Sequence, residues 1–206
     1  MSSMFYNCSN LETINFGNIN TSSVEIMEHL FCNCSKMKSI DISKFDTSKV
    51  NTMLSMFLRC NNLETINFGN INTSSIKNMR SMFNQCRKLT SLNLSIFDTS
   101  QVTTFQNMFN GCKGLKYLDI STFNTLNILH TESMFYACNS LIYLNLYSFQ
   151  LNYNVNIINT FKGVSSNLVY CIKDNFTKNF LFGNDSISIC LEPCSNDNNK
   201  KIDINY

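Results

Sequence analysis

Apolar residues recur along this chain with a fixed period. Phenylalanine falls at positions 5, 31, 57, 83, 109, 135 and 161, every 26 residues without slippage. Three residues after it stands a cysteine, at Cys8, Cys34, Cys60, Cys86, Cys112 and Cys138, and three further on an apolar residue, at Leu11, Met37, Leu63, Leu89, Leu115 and Leu141. Self-similarity at a constant period marks a repeat architecture, in which each unit covers its apolar face with its neighbours. Two different periods coexist within a unit. Val24, Met27, Leu30, Phe31 and Cys34 are spaced 3, 3, 1 and 3, which predicts one face of a short helix, and Val50–Cys60 and Ile76–Cys86 repeat that spacing. The hydroxyl pairs Thr21-Ser22, Thr47-Ser48, Thr73-Ser74 and Thr99-Ser100 stand where an N-cap belongs. After the cysteine the spacing changes to Leu89, Leu92, Leu94, then Leu115, Leu118, Ile120, then Leu141, Leu144, Leu146. That alternation predicts a short strand with one buried face.

Each unit is therefore expected to be a capped helix followed by a strand and a turn. Stacked units pair their strands in parallel about 4.8 Å apart, and bulkier helices spread on the other side. The expected fold is an α/β solenoid: a leucine-rich-repeat-like curved stack of 26-residue strand–helix repeats with a parallel sheet on the concave face. Residues 1–172 are expected to form six to seven repeats, and residues 173–206 a C-terminal cap and polar tail.

The segment Met82–Val102 carries the whole pattern M-F-x-x-C-x-x-L-x-x-L-x-L-S-x-F-D-T-S-x-V, and Leu30–Val50 carries nearly all of it. This resembles the 26-residue surface-protein repeat of BspA-like leucine-rich-repeat proteins, with the tetrads Phe45-Asp-Thr-Ser48 and Phe97-Asp-Thr-Ser100 as its most specific feature. The resemblance spans roughly residues 1–162. It implies a solenoid with a cell-surface or secreted location and a role in adhesion; it names no ligand. The block Asn10–Ser23 recurs identically at Asn62–Ser75, which points to a duplicated two-repeat unit. The tetrad decays at Phe123-Asn-Thr-Leu126 and Phe149-Gln-Leu-Asn152, as expected towards a terminal cap. Met1 is itself in register with Met27, Met53 and Met79, so further repeats are expected upstream.

Composition narrows the function. Charged residues make up 15% and the net charge is +2, so no basic stripe is present to recruit a phosphate backbone and nucleic acid is not an expected partner. No run of 18 apolar residues occurs, and no transmembrane segment is expected in this chain.

Ten cysteines require an assignment. The ladder Cys8, Cys34, Cys60, Cys86, Cys112 and Cys138 lies on the apolar face, where Cys packs as a small hydrophobe; reduced structural thiols are favoured over rung-to-rung disulfides. Cys171 with Cys190 or Cys194 can staple the terminal cap in an oxidising compartment. A zinc site from these three is disfavoured, because neither a His nor paired C-x-x-C knuckles accompany them. His29 and His130 occupy non-equivalent positions and are expected on helix surfaces. No nucleophile–base arrangement recurs and no Gly-rich phosphate loop is present, so neither catalysis nor a cofactor is expected. Among seven N-x-S/T sequons, Asn175 and Asn184 lie outside the array and are the better glycan acceptors should the chain be secreted.

The strand face is the expected binding surface, for a protein or glycan. Its outward rows are Thr13, Ser39, Thr65, Ser91, Tyr117, Tyr143 and Asn15, Asp41, Asn67, Asn93, Asp119, Asn145. A third row runs Gly17, Ser43, Gly69, Ser95, Ser121, Tyr147, and the aromatic end with Tyr117, Tyr143 and Tyr147 is the expected hot spot. The competing reading is that the Asn/Asp row only satisfies itself by hydrogen bonding between units. An intracellular, cytoplasmic scaffold of the same fold is the alternative to the surface protein.

Overall fold

The computed structural model describes residues 1–173, 175–182 and 189–190. Its strands are segments of two or three residues, and the units at residues 13–15 and 91–93 carry none. The strands are β1 (Ser39–Asp41), β2 (Thr65–Asn67), β3 (Tyr117–Asp119), β4 (Tyr143–Asn145) and β5 (Val169–Cys171), followed by helix α1 (Asn175–Phe182) and the two-residue strand β6 (Ile189–Cys190). β1 pairs with β2, and β3, β4, β5 and β6 form a second sheet in that order, all in parallel. The register is Ile40 to Ile66, Leu118 to Leu144 and Leu144 to Tyr170, so each unit advances by one 26-residue period. The chain is a parallel-stranded solenoid.

The helix expected between Val24 and Cys34, and in every later unit, does not form. That segment is a chain of tight turns in which alternate amides point to the next unit. Phe31, Phe57, Phe83, Phe109 and Phe135 donate their N–H to Met56, Met82, Met108, Met134 and Thr160 O, each at 2.9 Å. Between them, Cys34 N–H closes on Phe31 O at 3.1 Å and Cys60 N–H on Phe57 O at 3.1 Å, three residues back. An α-helix would spend every amide internally on the residue four back. Its continuation is blocked twice per unit by left-handed residues, for example His29 (φ 55°) and Asn33 (φ 63°), then Ser55 (φ 55°) and Arg59 (φ 60°). The 3, 3, 1, 3 spacing belongs as well to successive three-residue turns as to a helix.

This correction removes the helix layer from the side opposite the strands. The turn side carries parallel bridges Ile26–Thr52–Asn78–Thr104–His130–Asn156. The turn side is thus itself spaced by backbone hydrogen bonds at about 4.8 Å, in place of a thicker helix layer.

The core lies between the two sides. Phe5, Phe31, Phe57, Phe83, Phe109, Phe135 and Phe161 form a continuous stack with ring centroids 5.3–5.9 Å apart, in the range favoured for offset aromatic pairs. In the middle units the apolar pattern positions are buried, Ile66 excepted; in the first unit Phe5, Leu11, Ile14, Phe16, Ile19 and Val24, and in the last Ile157, Phe161 and Val164, are partly covered.

Candidate functional site

Every rung is fastened by polar side chains, and sorting those from the uncommitted ones locates the site. At the corner where an N-cap was expected, Thr21, Thr47, Thr73, Thr99 and Thr125 are buried and reach across to the next unit. Thr47 Oγ1 donates to Asn72 O at 2.7 Å and accepts from Asn72 N–H at 2.8 Å, and Thr21 and Thr125 do the same to Asp46 and Gln150. These hydroxyls hold rungs together and cap no helix. Where the ladder meets Leu151, Thr177 of α1 takes over, accepting from Leu151 N–H at 3.1 Å while fully buried. In the tetrads, Asp46 and Asp98 accept the N–H of Ser48 and Ser100. Those hydrogen bonds, with the Ser hydroxyls, hold both carboxyls below the usual range.

The cysteine ladder has an equally specific task. Cys34, Cys60, Cys86, Cys112 and Cys138 donate Sγ–H to the carbonyls of Phe5, Phe31, Phe57, Phe83 and Phe109, at 3.0–3.2 Å. Each thiol thereby satisfies a carbonyl of the preceding turn side with a small group that also packs as a hydrophobe. Burial pushes Cys34 up to about 11 and Cys138 up to about 12, and Cys60, Cys86 and Cys112 well above the ordinary value. Cys8, Cys32 and the five donors are free thiols. Cys171 is disulfide-bonded and stands opposite Cys190 in the β5–β6 register; Cys194 lies outside the described residues, as does the sequon at Asn184. Among the described residues no three His, Cys, Asp or Glu side chains converge as a metal site, and no helix is long and apolar enough to cross a membrane.

On the strand face the rows divide by their hydrogen bonds. In the Asn/Asp row, Asn15, Asp41, Asn67, Asn93, Asp119 and Asn145 each accept the N–H two residues on: from Gly17, Ser43, Gly69, Ser95, Ser121 and Tyr147. Asn67 and Asn145 also donate Nδ2 to Asp41 and Asp119 at 3.1 Å. These residues build the Asx turns that leave each strand. The serine hydrogen bonds hold Asp41 below the usual carboxylate range. Gly69 is left-handed (φ 58°), and a Cβ there would lie 2.5 Å from that of Ser43, so this turn admits only glycine.

The neighbouring hydroxyl row is uncommitted. Thr13, Ser39 and Thr65 are exposed and Ser91 is half-exposed, and none of their hydroxyls donates or accepts a hydrogen bond among the described residues. Together with Asp41, Asn67 and the edges of Ile14, Ile40 and Ile66, the first three line a shallow groove of about 430 Å³.

At the other end the row changes character. Tyr143 and Asn145 are 8% and 6% exposed. Val169 of β5 lies beside Tyr143 in register, and Cys171 Sγ is 3.7 Å from its hydroxyl. Tyr143 is therefore corrected from an exposed anchor to a covered side chain, and Asn145 from a ligand contact to a turn builder. Tyr117 and Asp119 are half-buried, and Tyr147 has Lys173 Nζ 5.6 Å from its ring centroid.

Sequence reasoning treated the rungs as uniform and missed an interruption of the sheet. Phe16 and Phe68 occupy the inward strand position that Ile42, Leu94, Ile120 and Leu146 fill elsewhere. Their rings set edge-on against Phe45 and Phe97 of the following unit, at 4.8 and 5.0 Å. After each of these rungs, no backbone hydrogen bond joins the strand segment to the next among the described residues, whereas Lys116 N–H donates to Thr90 O at 2.9 Å across the following junction. A ring lying between rungs needs more height than an aliphatic side chain, and the strands part there. Both seams lie in the duplicated block, and one of them runs through the groove.

Comparison with known proteins adds the following. A leucine-rich repeat protein from Bacteroides ovatus ATCC 8483 is similar in structure, with a TM-score of 0.42 and 17% identity over 92% of this chain and 62% of the other, so the chain spans less than two thirds of that protein. No curated protein sequence matches. The family described as "Mycoplasma protein of unknown function, DUF285" matches residues 1–92 and again 59–171, between them the whole solenoid, and the chain belongs to that family.

Proposed function

We propose that this protein is a non-enzymatic binding module whose strand face holds a protein or glycan partner, and that it is part of a cell-surface, adhesin-type leucine-rich-repeat protein of the BspA-like kind. The observation that carries this reading is the division of the strand face. The Asn/Asp row is spent on turns, while the adjoining hydroxyls of Thr13, Ser39 and Thr65 stand exposed beside a groove with no hydrogen bond of their own. Regularly spaced hydroxyls with apolar edges between them suit a partner that offers both polar and apolar groups, and extended faces of solenoids serve such binding. The binding region is thus the hydroxyl end, units 1 to 3, in place of the tyrosine end.

The surface location is supported by the disulfide at Cys171, because such bonds persist outside the cytosol. The exposed free thiol of Cys8 favours the second reading, a cytoplasmic scaffold using the same face.

The test is a screen of the intact chain on immobilised glycans and extracellular-matrix proteins, run beside the variant Thr65→Arg. This substitution at an exposed strand position fills the groove and leaves the core alone. Saturable capture that the variant loses at unchanged melting temperature is the expected result. Capture that Thr65→Arg leaves intact overturns the assignment of this face.

A further inference from the structure

Because the units repeat, each side chain can be compared with its equivalents, and residues the fold does not require stand out. At the first left-handed position of the turn side the units carry Ser3, Ser55, Ser81, Asn107, Ser133 and Asn159, except that unit 2 carries His29. At the second they carry Asn7, Asn33, Gln85, Gly111, Ala137 and Gly163, except that unit 3 carries Arg59. The fold accommodates small or amide side chains at both places, so neither the imidazole nor the guanidinium is a packing necessity. They converge all the same. His29 and Arg59 line one cavity of about 380 Å³ on the turn side, with Tyr6, Cys32 and Asn33 in its wall and no carboxylate in its lining.

The lining includes a guanidinium, which can only donate, and a phenol and an imidazole, each of which can donate. Asn33 is fixed by donating Nδ2 to Asn7 Oδ1, and the Tyr6 ring sets edge-on to His29 at 6.3 Å. Arg59 makes no ion pair among the described residues; the one ion pair there, His130 to Glu132, is far along the chain. Glu28, next to His29 in sequence, is engaged by the hydroxyl of Thr52 at 3.1 Å and does not line the cavity. Burial pushes the Cys32 thiol up, and the Arg59 charge opposes that push, which puts the guanidinium near the cavity wall. A guanidinium fork with a phenol and an imidazole, and no acid to neutralise it, is complementary to an oxyanion.

We infer that this turn-side cavity binds an oxyanion, carried by its ligand as a sulfate or a carboxylate group, with Arg59 as the charged donor and His29 and Tyr6 beside it. It is distinct from the strand-face groove and stands or falls independently of it.

The test uses the intact ¹⁵N-labelled chain. Sodium sulfate and, separately, sodium acetate are titrated at constant ionic strength set by sodium chloride, following the Arg59 side-chain N–H and the backbone amides of residues 6, 29 and 33. Two variants restore what other units carry: Arg59→Gln copies Gln85, which holds the same left-handed conformation (φ 61°), and His29→Ser copies Ser55 and Ser81. Saturable shifts are expected with at least one anion, and the anion that produces them identifies the source. Arg59→Gln should weaken the response about tenfold or more, the scale of one charge-assisted hydrogen bond, at unchanged melting temperature. Thr65→Arg should leave it intact. Absence of saturation with both anions, or equal affinity in Arg59→Gln, overturns the site. Should Arg59→Gln fail to fold, His29→Ser carries the same decision.

Discussion

The two sides of the solenoid are held together unequally. On the turn side, backbone hydrogen bonds cross all six junctions between units, from Phe5 to Leu30 O through Phe135 to Thr160 O. Thiol donors reinforce five of them. On the strand side, the side that a leucine-rich pattern makes prominent, pairing is missing after Phe16 and after Phe68. The continuous element of this fold is therefore the stack of left-handed turns with its phenylalanine column, and the sheet is assembled on it in two pieces. Stability is expected to reside on the turn side, which leaves the strand side free to vary for binding.

The largest effect that separates the two sides is one of pH. The five ladder thiols, which donate to turn-side carbonyls, all have raised pKa values, while Asp41, on the strand face, has a lowered one. A group whose folded pKa is raised contributes stability that is complete below its unfolded value and is lost as pH climbs towards the folded value. Five buried thiols then predict a loss that begins near 9, their ordinary value, and extends through the values of about 11 and 12 at Cys34 and Cys138. Asp41, Asp46 and Asp98 behave in the opposite sense: their contribution is present above 3.8 and is lost as pH falls below it. These carboxyls are exposed, and their share is small. Circular dichroism across pH should show complete cooperative unfolding on the alkaline side, with rapid alkylation of Cys60, Cys86 and Cys112 only after that transition. An alkaline limb no steeper than the acid one would show that the thiol ladder does not hold the stack.

Next in size is a single cavity. Phe83 is fully buried, stacks on Phe57 and Phe109 at 5.9 and 5.6 Å, and meets Phe68 edge-on at 6.3 Å. Phe83→Ala should cost about 3–5 kcal/mol, read from a denaturant midpoint, while Thr65→Ala on the strand face should stay within about 0.5 kcal/mol. Equal losses would mean that both sides contribute alike.

Much of this was legible in the sequence, because the period is a property of burial. The inward residues, the parallel register and the Asn/Asp row all follow from aligning seven units. The helix was misread for a physical reason: apolar residues three apart fit consecutive turns as well as a helix, and what decides is whether left-handed residues intervene. That signal was present, since positions such as Asn7, Asn33, Asn107, Gly111, Asn159 and Gly163 tolerate positive φ and none of their equivalents is β-branched. The burial of Tyr143 was not legible, because it depends on where β5 lies. The oxyanion cavity is visible only once His29 and Arg59, 30 residues apart, are seen to share a wall. The seams were hidden because Phe and Leu read alike as apolar, although the duplicated block that contains both was plain.

The seams give the finest test of the comparison. If the ring of Phe68 is what parts units 3 and 4, then Phe68→Leu, which copies Leu94 one unit on, should let the strands close. The junction would then acquire the bonds seen at its neighbours. Thr90 N–H would donate to Glu64 O, as Lys116 does to Thr90, and the residue-68 N–H to Asn93 O, as Ile42 does to Asn67. The lost ring volume and the gained hydrogen bonds oppose each other, so the net change in stability should be within about 1.5 kcal/mol. Hydrogen exchange resolves what the midpoint does not. Amides 68 and 90 should slow about tenfold, the scale of one hydrogen bond, while those of Phe83 and Gln85, already bonded to Met108 and Asn110 on the turn side, keep their rates. Fast exchange at 68 and 90 in the leucine variant would exonerate the phenylalanine and move the cause to the adjoining Asx turn, where Gly69 replaces the serine of other units. Slowing at all four amides would show that the two sides tighten together, against the separation of roles argued from their hydrogen bonds.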